Sequence, residues 1–163
     1  VGMEDLAEKF KKDEIEADVV ISATGLKMIP FGGIKMFIDE EQINFAQTTQ
    51  YKGVMLSGIP NFFVASGYTN ASWTLKCDLT SQYFCRLVNY CLKKGHKVCV
   101  PKDIKNSEKK VMQVGLESGY ILRSIEEFPR EGLSSPWKLR QNYFLDLFEL
   151  KLSRLRNKNI SFS

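Results

Sequence analysis

Apolar positions along this chain of 163 residues recur with two spacings, one typical of strands and one typical of helices. Three short apolar runs, at 17–25, 54–56 and 62–66, are bounded by glycine, proline or asparagine, which predicts strands. The run at 17–25 is continuously apolar at its centre, as in strands that are covered on both faces. Apolar segments at 34–38 and 43–46 flank a polar tripeptide and predict a hairpin or a similar surface excursion.

The longest periodic segment predicts an amphipathic helix over residues 72–94. Its apolar positions form two neighbouring lines with i, i+4 spacing, namely Leu75, Leu79, Tyr83, Leu87 and Cys91, and Phe84, Val88 and Leu92. An apolar face this wide must be covered by other parts of the protein. Asn70 or Ser72 can cap the start of the helix, and Gly95 follows its cationic last turn as a typical terminating residue.

The last third of the chain carries mixed signals. We expect a short strand at 98–101, helical pieces at 106–118 and 119–128, a loop at 129–136 and a largely helical, aromatic-rich tail at 137–155. No internal repeat and no sharp change of composition marks a domain boundary.

Composition is typical of a soluble globular protein, with 44% hydrophobic and 26% charged residues. No apolar run approaches the roughly 18 residues needed to span a bilayer, and the charged start differs from a secretory signal. A first residue other than Met suggests a piece of a longer protein. The formal charge of +4 is mild, and we expect its basic clusters to be solvated surface rather than a nucleic-acid-binding face.

The four cysteines, Cys77, Cys85, Cys91 and Cys99, contain no Cys-x-x-Cys pair. Cys77 and Cys85 would lie about 12 Å apart along the predicted helix, which is too far for a disulfide. We therefore expect free thiols in a reducing compartment and a cytoplasmic protein. His96 is the single histidine, so we expect no zinc or other metal site.

Three separated blocks of sequence carry a family resemblance. The first is Asp18-Val19-Val20-Ile21-Ser22-Ala23-Thr24-Gly25. The second begins as Tyr51-Lys52-Gly53-Val54-Met55-Leu56-Ser57-Gly58-Ile59-Pro60-Asn61 and leads into Gly67-Tyr68-Thr69-Asn70-Ala71-Ser72-Trp73. The third comprises Ser118-Gly119-Tyr120-Ile121-Leu122-Arg123, Phe128-Pro129-Arg130-Glu131-Gly132 and Ser135-Pro136-Trp137-Lys138-Leu139-Arg140-Gln141-Asn142-Tyr143.

These blocks resemble FAD-containing, NADPH-dependent monooxygenases of the Baeyer–Villiger or flavin-containing type, especially the subgroup that activates thioamide prodrugs. The first block is similar to the family's strand between the NADPH and FAD domains, and the second ends in its flavin-contacting turn. Tyr68 stands where flavoproteins of the disulfide-reductase type often have Asp, which favours the monooxygenase branch. The third block is expected to serve mainly packing.

The resemblance implies an α/β fold in which this chain is the C-terminal piece of a flavoprotein with two dinucleotide-binding domains. It would supply part of the FAD-domain sheet, one long amphipathic helix and a helical C-terminal tail. Residues 1–16 would be a linker or the end of the NADPH-domain connection, residues 17–100 the C-terminal part of the FAD-binding domain, and residues 101–163 a mostly helical C-terminal extension. FAD and NADPH would be bound largely by the missing N-terminal regions, because this chain contains no Gly-x-Gly-x-x-Gly.

The resemblance also implies a set of cofactor-binding residues: Thr24, Gly25, Gly67, Tyr68, Asn70, Ala71, Ser72 and Trp73. Glycine and small residues let backbone approach a planar cofactor. The helix start near Ser72 would direct N–H groups and a positive dipole end at the pyrimidine edge of the flavin. Trp73 has an alternative role as an anchor of the helix start against the core. The family's catalytic arginine has no counterpart here, so no catalytic residue is expected in this chain.

The implied reaction begins when NADPH reduces FAD. The reduced flavin traps O₂ as a C4a-peroxide, which oxygenates ketones or soft sulfur and nitrogen centres of a small organic substrate. The piece alone would be inactive. Two alternatives stay open: a non-catalytic remnant or interaction module, and a basic binder of nucleic acid or of a membrane surface, which the charge permits but no motif supports.

Overall fold

The computed structural model describes residues 18–23, 25–105, 108–111 and 119–163. Its strands are β1 (Phe37–Ile38), β2 (Glu41–Gln42), β3 (Gln50–Tyr51), β4 (Met55–Leu56), β5 (Cys99–Pro101), β6 (Lys109–Lys110), β7 (Glu131–Gly132) and β8 (Ile160–Phe162). Its α-helices are α1 (Trp73–Lys94), α2 (Gly119–Leu122) and α3 (Tyr143–Leu147), and α3 continues into a π-helical turn at Phe148–Leu152. Single 3-10 turns occupy Pro30–Gly33, Phe45–Gln47 and Ile125–Glu127.

The strands of the described residues pair as four two-stranded antiparallel ladders: β1 with β2, β3 with β4, β5 with β8, and β6 with β7. The hairpin expected around residues 39–41 is confirmed, with Asp39 and Glu40 between its strands. Both turn residues have positive φ, 50° and 69°, which is the two-residue turn geometry that matches strand twist. The mixture of helix and strand agrees with the expected α/β class, and the two-domain organisation stays a prediction.

The predicted helix over residues 72–94 is confirmed as α1, with Ser72 at its N-cap position. Gly95 ends the helix with φ 73°, a left-handed conformation that glycine adopts without a Cβ clash. The Ser72 side chain makes no cap hydrogen bond to the helix backbone. Its hydroxyl lies 2.9 Å from that of Thr74 instead, so Ser72 leaves the N–H groups of the first turn uncapped.

The buried face of α1 differs from the predicted apolar line. Leu79, Tyr83 and Leu87 are buried as expected, but Leu75 is 43% exposed whereas Lys76 is 4% exposed. A strict i, i+4 line advances about 40° around a helix at each step, so its first and last members point about 160° apart. The buried face therefore includes Lys76 in place of Leu75.

The second predicted apolar line of α1 is exposed at Phe84, Val88 and Leu92. Phe84 packs edge-on against Phe63, with ring centroids 4.7 Å apart. The described residues thus cover one side of the wide apolar face that the sequence predicts, and they leave much of the other side open to solvent.

The hydrophobic core forms where α1 meets the β3–β4 hairpin and the C-terminal segment. Its buried members are Tyr51, Val54, Met55, Leu79, Tyr83, Leu87, Cys99, Trp137, Leu150 and Ile160. Trp137 packs edge-to-face on Tyr51 with ring centroids 5.2 Å apart. Because β8 pairs with β5, the end of the chain returns to the same core and contributes to it.

The part of the chain after residue 101 is less helical than predicted. Residues 109–110, expected in a helix, form β6 and pair with β7, and residues 137–142 are not helical. The tail becomes helical only after Asn142, whose side-chain oxygen caps α3 by accepting from the N–H of Leu145 (3.1 Å). Residues 106–107 and 112–118 of the predicted helical piece lie outside the described residues.

The apolar run at residues 19–23 is not the buried strand that the sequence predicts. Its members at 19–21 are 77% to 86% exposed, and none of them pairs with a strand of the described residues. Residues 62–66 do not form its neighbour; Phe63 makes an isolated bridge to Met55. A strand persists only where an adjacent strand completes its backbone hydrogen bonds, and no described segment does so for this run.

The four cysteines are free thiols, as predicted. Burial raises the pKa of the Cys99 thiol to about 11, which suits a packing role. Among the described residues, no helix is long and apolar enough to cross a membrane. Histidine, cysteine and carboxylate side chains form no metal-binding group within the same residues.

Two cations hold the end of the α3 segment against the core. Buried Lys52 donates through Nζ to the Glu149 carbonyl (3.0 Å) and to the Ser153 hydroxyl (2.6 Å). Arg86 of α1 donates to the carbonyls of Leu150 (2.6 Å) and Ser153 (3.0 Å). The last carbonyls of a helix lack intrahelical partners, and these cations supply donors to them. The Glu149 carbonyl accepts from the Ser153 hydroxyl as well.

Burial makes Lys52 sensitive to pH. Burial lowers the pKa of the ammonium from 10.5 to about 8. The Glu149 carboxylate raises this pKa, and the Arg86 cation lowers it further. Between these values the unfolded chain holds a proton that the folded chain has released, so the free energy of unfolding rises with pH. A neutral amine still has two N–H donors, enough for both hydrogen bonds.

We expect the free energy of unfolding to rise by roughly 1 kcal/mol between pH 7.5 and 9 through Lys52 alone. Lys52→Met should abolish this rise, because methionine keeps the apolar stem and has no ionisable group. Urea unfolding at several pH values measures the effect, with exposed Lys93→Met as the control that keeps the wild-type slope. The same rise in Lys52→Met would contradict the assignment.

Candidate cofactor site

The predicted cofactor-binding turn, residues 67–73, connects the segment that follows the β3–β4 hairpin to α1. A Cβ added at half-buried Gly67 would lie 2.1 Å from Cδ2 of Trp73 and 2.6 Å from its Cα. Gly67 is therefore required by the close approach of Trp73, and not by a left-handed φ. Trp73 remains 58% exposed, so it packs against the glycine and also presents much of its ring outward.

The side chain of Tyr68 points into the protein rather than towards solvent. Its hydroxyl donates to Oδ2 of Asp146 (2.8 Å), and the same oxygen accepts from Nζ of Lys76 (2.8 Å). Both charged side chains are almost completely buried, and the Lys76 ammonium lies 5.1 Å from the centroid of the Tyr68 ring. Burial, followed by the hydrogen bond to the Asp146 carboxylate, raises the pKa of the Tyr68 hydroxyl.

The outer part of the turn is held by Gln141 of the C-terminal segment. The N–H of Thr69 donates to Oε1 of Gln141 (3.1 Å), and the Asn70 amide donates to the Gln141 carbonyl (3.0 Å). Ala71 and Ser72 are exposed. The turn therefore has one buried side, formed by Tyr68, and one open side where α1 begins.

An apolar cavity of about 220 Å³ lies beside the turn, with Gly67 and Trp73 in its wall. The other lining residues come from three regions of the chain: Met28, Phe31, Gln50, Gly53, Val54, Met55, Leu56, Val64, Ser66, Thr69, Lys76, Phe128, Pro129, Leu139 and Gln141. Apolar walls with a few polar groups are typical of sites for small organic molecules and cofactors.

The described member of the first predicted site segment, Gly25, does not line this cavity. Gly25 has φ 87°, and a Cβ there would lie 3.1 Å from Nη2 of Arg123, which donates to the Leu26 carbonyl (3.2 Å). Met28 reaches the cavity, whereas Gly25 is not among the described residues that line it. Thr24 lies outside the described residues.

Lys76, Gln141 and Asp146 adjoin the turn but were not predicted as site residues. A signal for Lys76 exists in the sequence, because it lies three and seven positions before the buried Leu79 and Tyr83, on the same helix face. Asp146 is a carboxylate within an otherwise apolar helical stretch, which also suggests a paired buried charge. Gln141 carries no such signal, since its role depends on a contact about seventy residues away in sequence.

Comparison with known proteins finds relatives that are named FAD-containing or FAD-binding monooxygenases. It is 41% identical over 150 residues to the FAD-containing monooxygenase EthA of Mycobacterium tuberculosis, covering 92% of this chain and 31% of that protein. It is 40% identical over 149 residues to the probable FAD-binding monooxygenase AlmA of an Acinetobacter species, covering 91% of this chain and 30% of that protein. The chain is related to the FAD-containing monooxygenases. The resemblance predicted from its sequence is thus confirmed.

A third relative, the putative FAD-containing monooxygenase MymA of M. tuberculosis, is 39% identical over 137 residues, which cover 82% of this chain and 27% of that protein. The chain therefore spans about 30% of the length of the curated relatives that it matches. No family model matches the chain. No solved structure matches it either.

The residues at the turn fit one edge of a flavin. The first turn of α1 offers N–H donors that Ser72 leaves uncapped, and a helix N-terminus suits an electron-rich group. The exposed ring surface of Trp73 and the apolar cavity wall suit a planar aromatic system. The space in which a Cβ of Gly67 would lie is filled by Trp73, so the glycine serves the placement of the indole.

Gly67→Ala should lower the free energy of unfolding by roughly 1–3 kcal/mol, because the new methyl group overlaps Trp73 and its backbone. Urea denaturation of the purified chain measures this change. Gly119→Ala is the matched control, since the nearest atom to a Cβ there is at an ordinary 3.6 Å and alanine is favoured in a helix. Equal stability of Gly67→Ala and the wild type would show that the turn does not have this packing.

Proposed function

We propose that this chain is the C-terminal part of the FAD-binding domain of an NADPH-dependent flavoprotein monooxygenase. The observation that carries the proposal is the 41% identity to an FAD-containing monooxygenase across 92% of the chain. A turn that packs Trp73 on Gly67 beside an apolar cavity supports it. We propose cytoplasmic location on the basis of the free thiols.

Bound FAD would supply the reactivity towards O₂, with NADPH as the source of electrons, and the protein would supply position and electrostatics. We assign Gly67, Tyr68, Asn70, Ala71, Ser72 and Trp73 to cofactor binding, together with Thr24 and Gly25 from the first block. The backbone N–H groups at the start of α1 would stabilise negative charge at the pyrimidine edge of the ring. Trp73 and the apolar wall would exclude water from that edge.

The substrate class that fits this reading is a small organic molecule with a ketone or a soft sulfur or nitrogen centre. The cavity beside the turn is small and its wall is largely apolar, so apolar ring or chain groups are favoured over charged ones. Lys76, the cation in the cavity wall, is neutralised by Asp146 at 2.8 Å and therefore does not favour an anionic substrate.

The chain by itself should not oxidise NADPH when FAD is added, because it contains no glycine-rich dinucleotide-binding loop. Absorbance at the NADPH band, followed with FAD and air-saturated buffer, measures this. FAD in buffer without protein is the control for background oxidation. Robust turnover that requires this chain would overturn the reading of the segment as part of a larger enzyme.

In the complete flavoprotein, Gly67→Val should reduce FAD retention more than Trp137→Ala does. A branched side chain at Gly67 displaces Trp73 and the start of α1, whereas Trp137 is buried in the core and does not line the cavity beside the turn. Trp137→Ala should instead cost roughly 3–5 kcal/mol of stability. FAD content per folded protein and urea unfolding separate the two effects, and FAD loss that follows stability in both variants would reduce the turn to a structural feature.

A second candidate is an interaction module that binds no cofactor alone and packs on a separate flavin domain. The exposed apolar residues at 19–21 and on the second line of α1 favour contact with another protein surface. The two candidates differ in one measurement. Wild-type-like FAD retention by a complete protein carrying Gly67→Val favours the module, and loss of FAD favours the cofactor-binding domain.

A further inference from the structure

The turn at residues 67–73 and the segment at residues 140–146 are about seventy positions apart in sequence but are joined by several hydrogen bonds. On the outer side, Gln141 accepts from the Thr69 N–H (3.1 Å) and from the Asn70 amide (3.0 Å). On the inner side, Asp146 accepts from the Tyr68 hydroxyl (2.8 Å). The C-terminal segment therefore contacts the turn on both of its sides.

The start of α1 is tied to the same segment by its first buried side chain. Nζ of Lys76 lies 2.8 Å from Oδ2 of Asp146 and 3.4 Å from the Arg140 carbonyl. The turn ends where α1 begins. Tyr68 lies near the start of the turn and Lys76 lies in the first turn of α1, so their contacts hold the turn at both ends. The geometry leaves little freedom for the turn to move without the C-terminal segment.

A buried ion pair is a costly way to obtain packing alone, because both charges lose their hydration, and apolar side chains of similar size often serve equally well. What such a pair adds is directional hydrogen bonding, which is satisfied in one arrangement and strongly unfavourable in others. The buried contact between Lys76, Asp146 and Tyr68 is thus suited to fixing a position.

We propose that residues 140–146 act as a brace that sets the position of the cofactor turn, with Gln141 as a positioning residue that holds the Thr69 backbone in place. The inference rests on the proposed function, in which this turn contacts the flavin. It assigns the C-terminal extension a role in cofactor binding, exerted through the hydrogen bond of Gln141 to the Thr69 backbone.

Gln141 offers a test that does not disturb the core, because its side chain is only half-buried and its hydrogen bond to Thr69 is exposed. Gln141→Leu removes the acceptor for the Thr69 N–H, whereas Gln141→Glu keeps an acceptor oxygen of the same reach. Gln82→Leu is the matched control: it removes a hydrogen bond to Asp78 (2.7 Å) on α1, about two and a half helical turns from Trp73.

The first measurement is amide hydrogen exchange of Thr69 by NMR in this chain, without cofactor. Gln141→Leu should speed exchange about five-fold, the equivalent of one ordinary hydrogen bond. Gln141→Glu should stay within about two-fold of the wild type, and Gln82→Leu should leave Thr69 unchanged. Unchanged exchange in Gln141→Leu would overturn the brace.

The second measurement is the FAD dissociation constant of the complete flavoprotein. Gln141→Leu should weaken FAD binding about five-fold at an unchanged melting temperature. Gln141→Glu should bind FAD with the wild-type affinity, because it keeps the acceptor oxygen. Wild-type FAD affinity in Gln141→Leu, together with FAD loss in Gly67→Val, would overturn the positioning role alone. Wild-type affinity in both variants would overturn the flavin contact itself and the positioning role with it.

Discussion

The arrangement around the turn depends on one carboxylate, that of Asp146. It is buried together with Lys76, and both charges would be strongly unfavourable in the core without each other. The Tyr68 hydroxyl donates to the same oxygen. Through these contacts the charge pair holds the start of α1, the turn before it and the C-terminal segment in a single arrangement. Asp146 accepts from both Lys76 and Tyr68 only when these three parts of the chain are in place.

A related constraint acts at the other end of the α3 segment. Its last carbonyls lack partners within the helix, and they accept from Lys52 in the hairpin and from Arg86 in α1. The β8 strand then pairs with β5 directly after α1. The C-terminal segment is consequently part of the same core as α1, and a division of the chain near residue 100 would cut through these contacts.

The exposed apolar surfaces fit the relation to longer flavoproteins. Residues 19–21 resemble a buried strand in sequence but lie in solvent, and the line through Phe84, Val88 and Leu92 is only partly covered. The chain spans about 30% of the length of its relatives. In the proposed enzyme, these surfaces would pack against the remainder of the protein. Residues 19–23 would find there the neighbouring strand that the described residues do not provide.

The sequence by itself determined the elements whose causes are local. The helix at 72–94 follows from periodicity and a terminating glycine, the hairpin at 39–41 from a polar break between apolar segments, and the family relation from consecutive residues such as those at 67–73. Only the tertiary structure decided which face of α1 is buried, why Gly67 must lack a side chain, and that Gln141 and Asp146 hold the turn. These features arise from contacts between residues distant in sequence, and no periodicity encodes them. Lys76 illustrates the difference: its helical position was predictable, whereas its burial depends on a carboxylate seventy residues away.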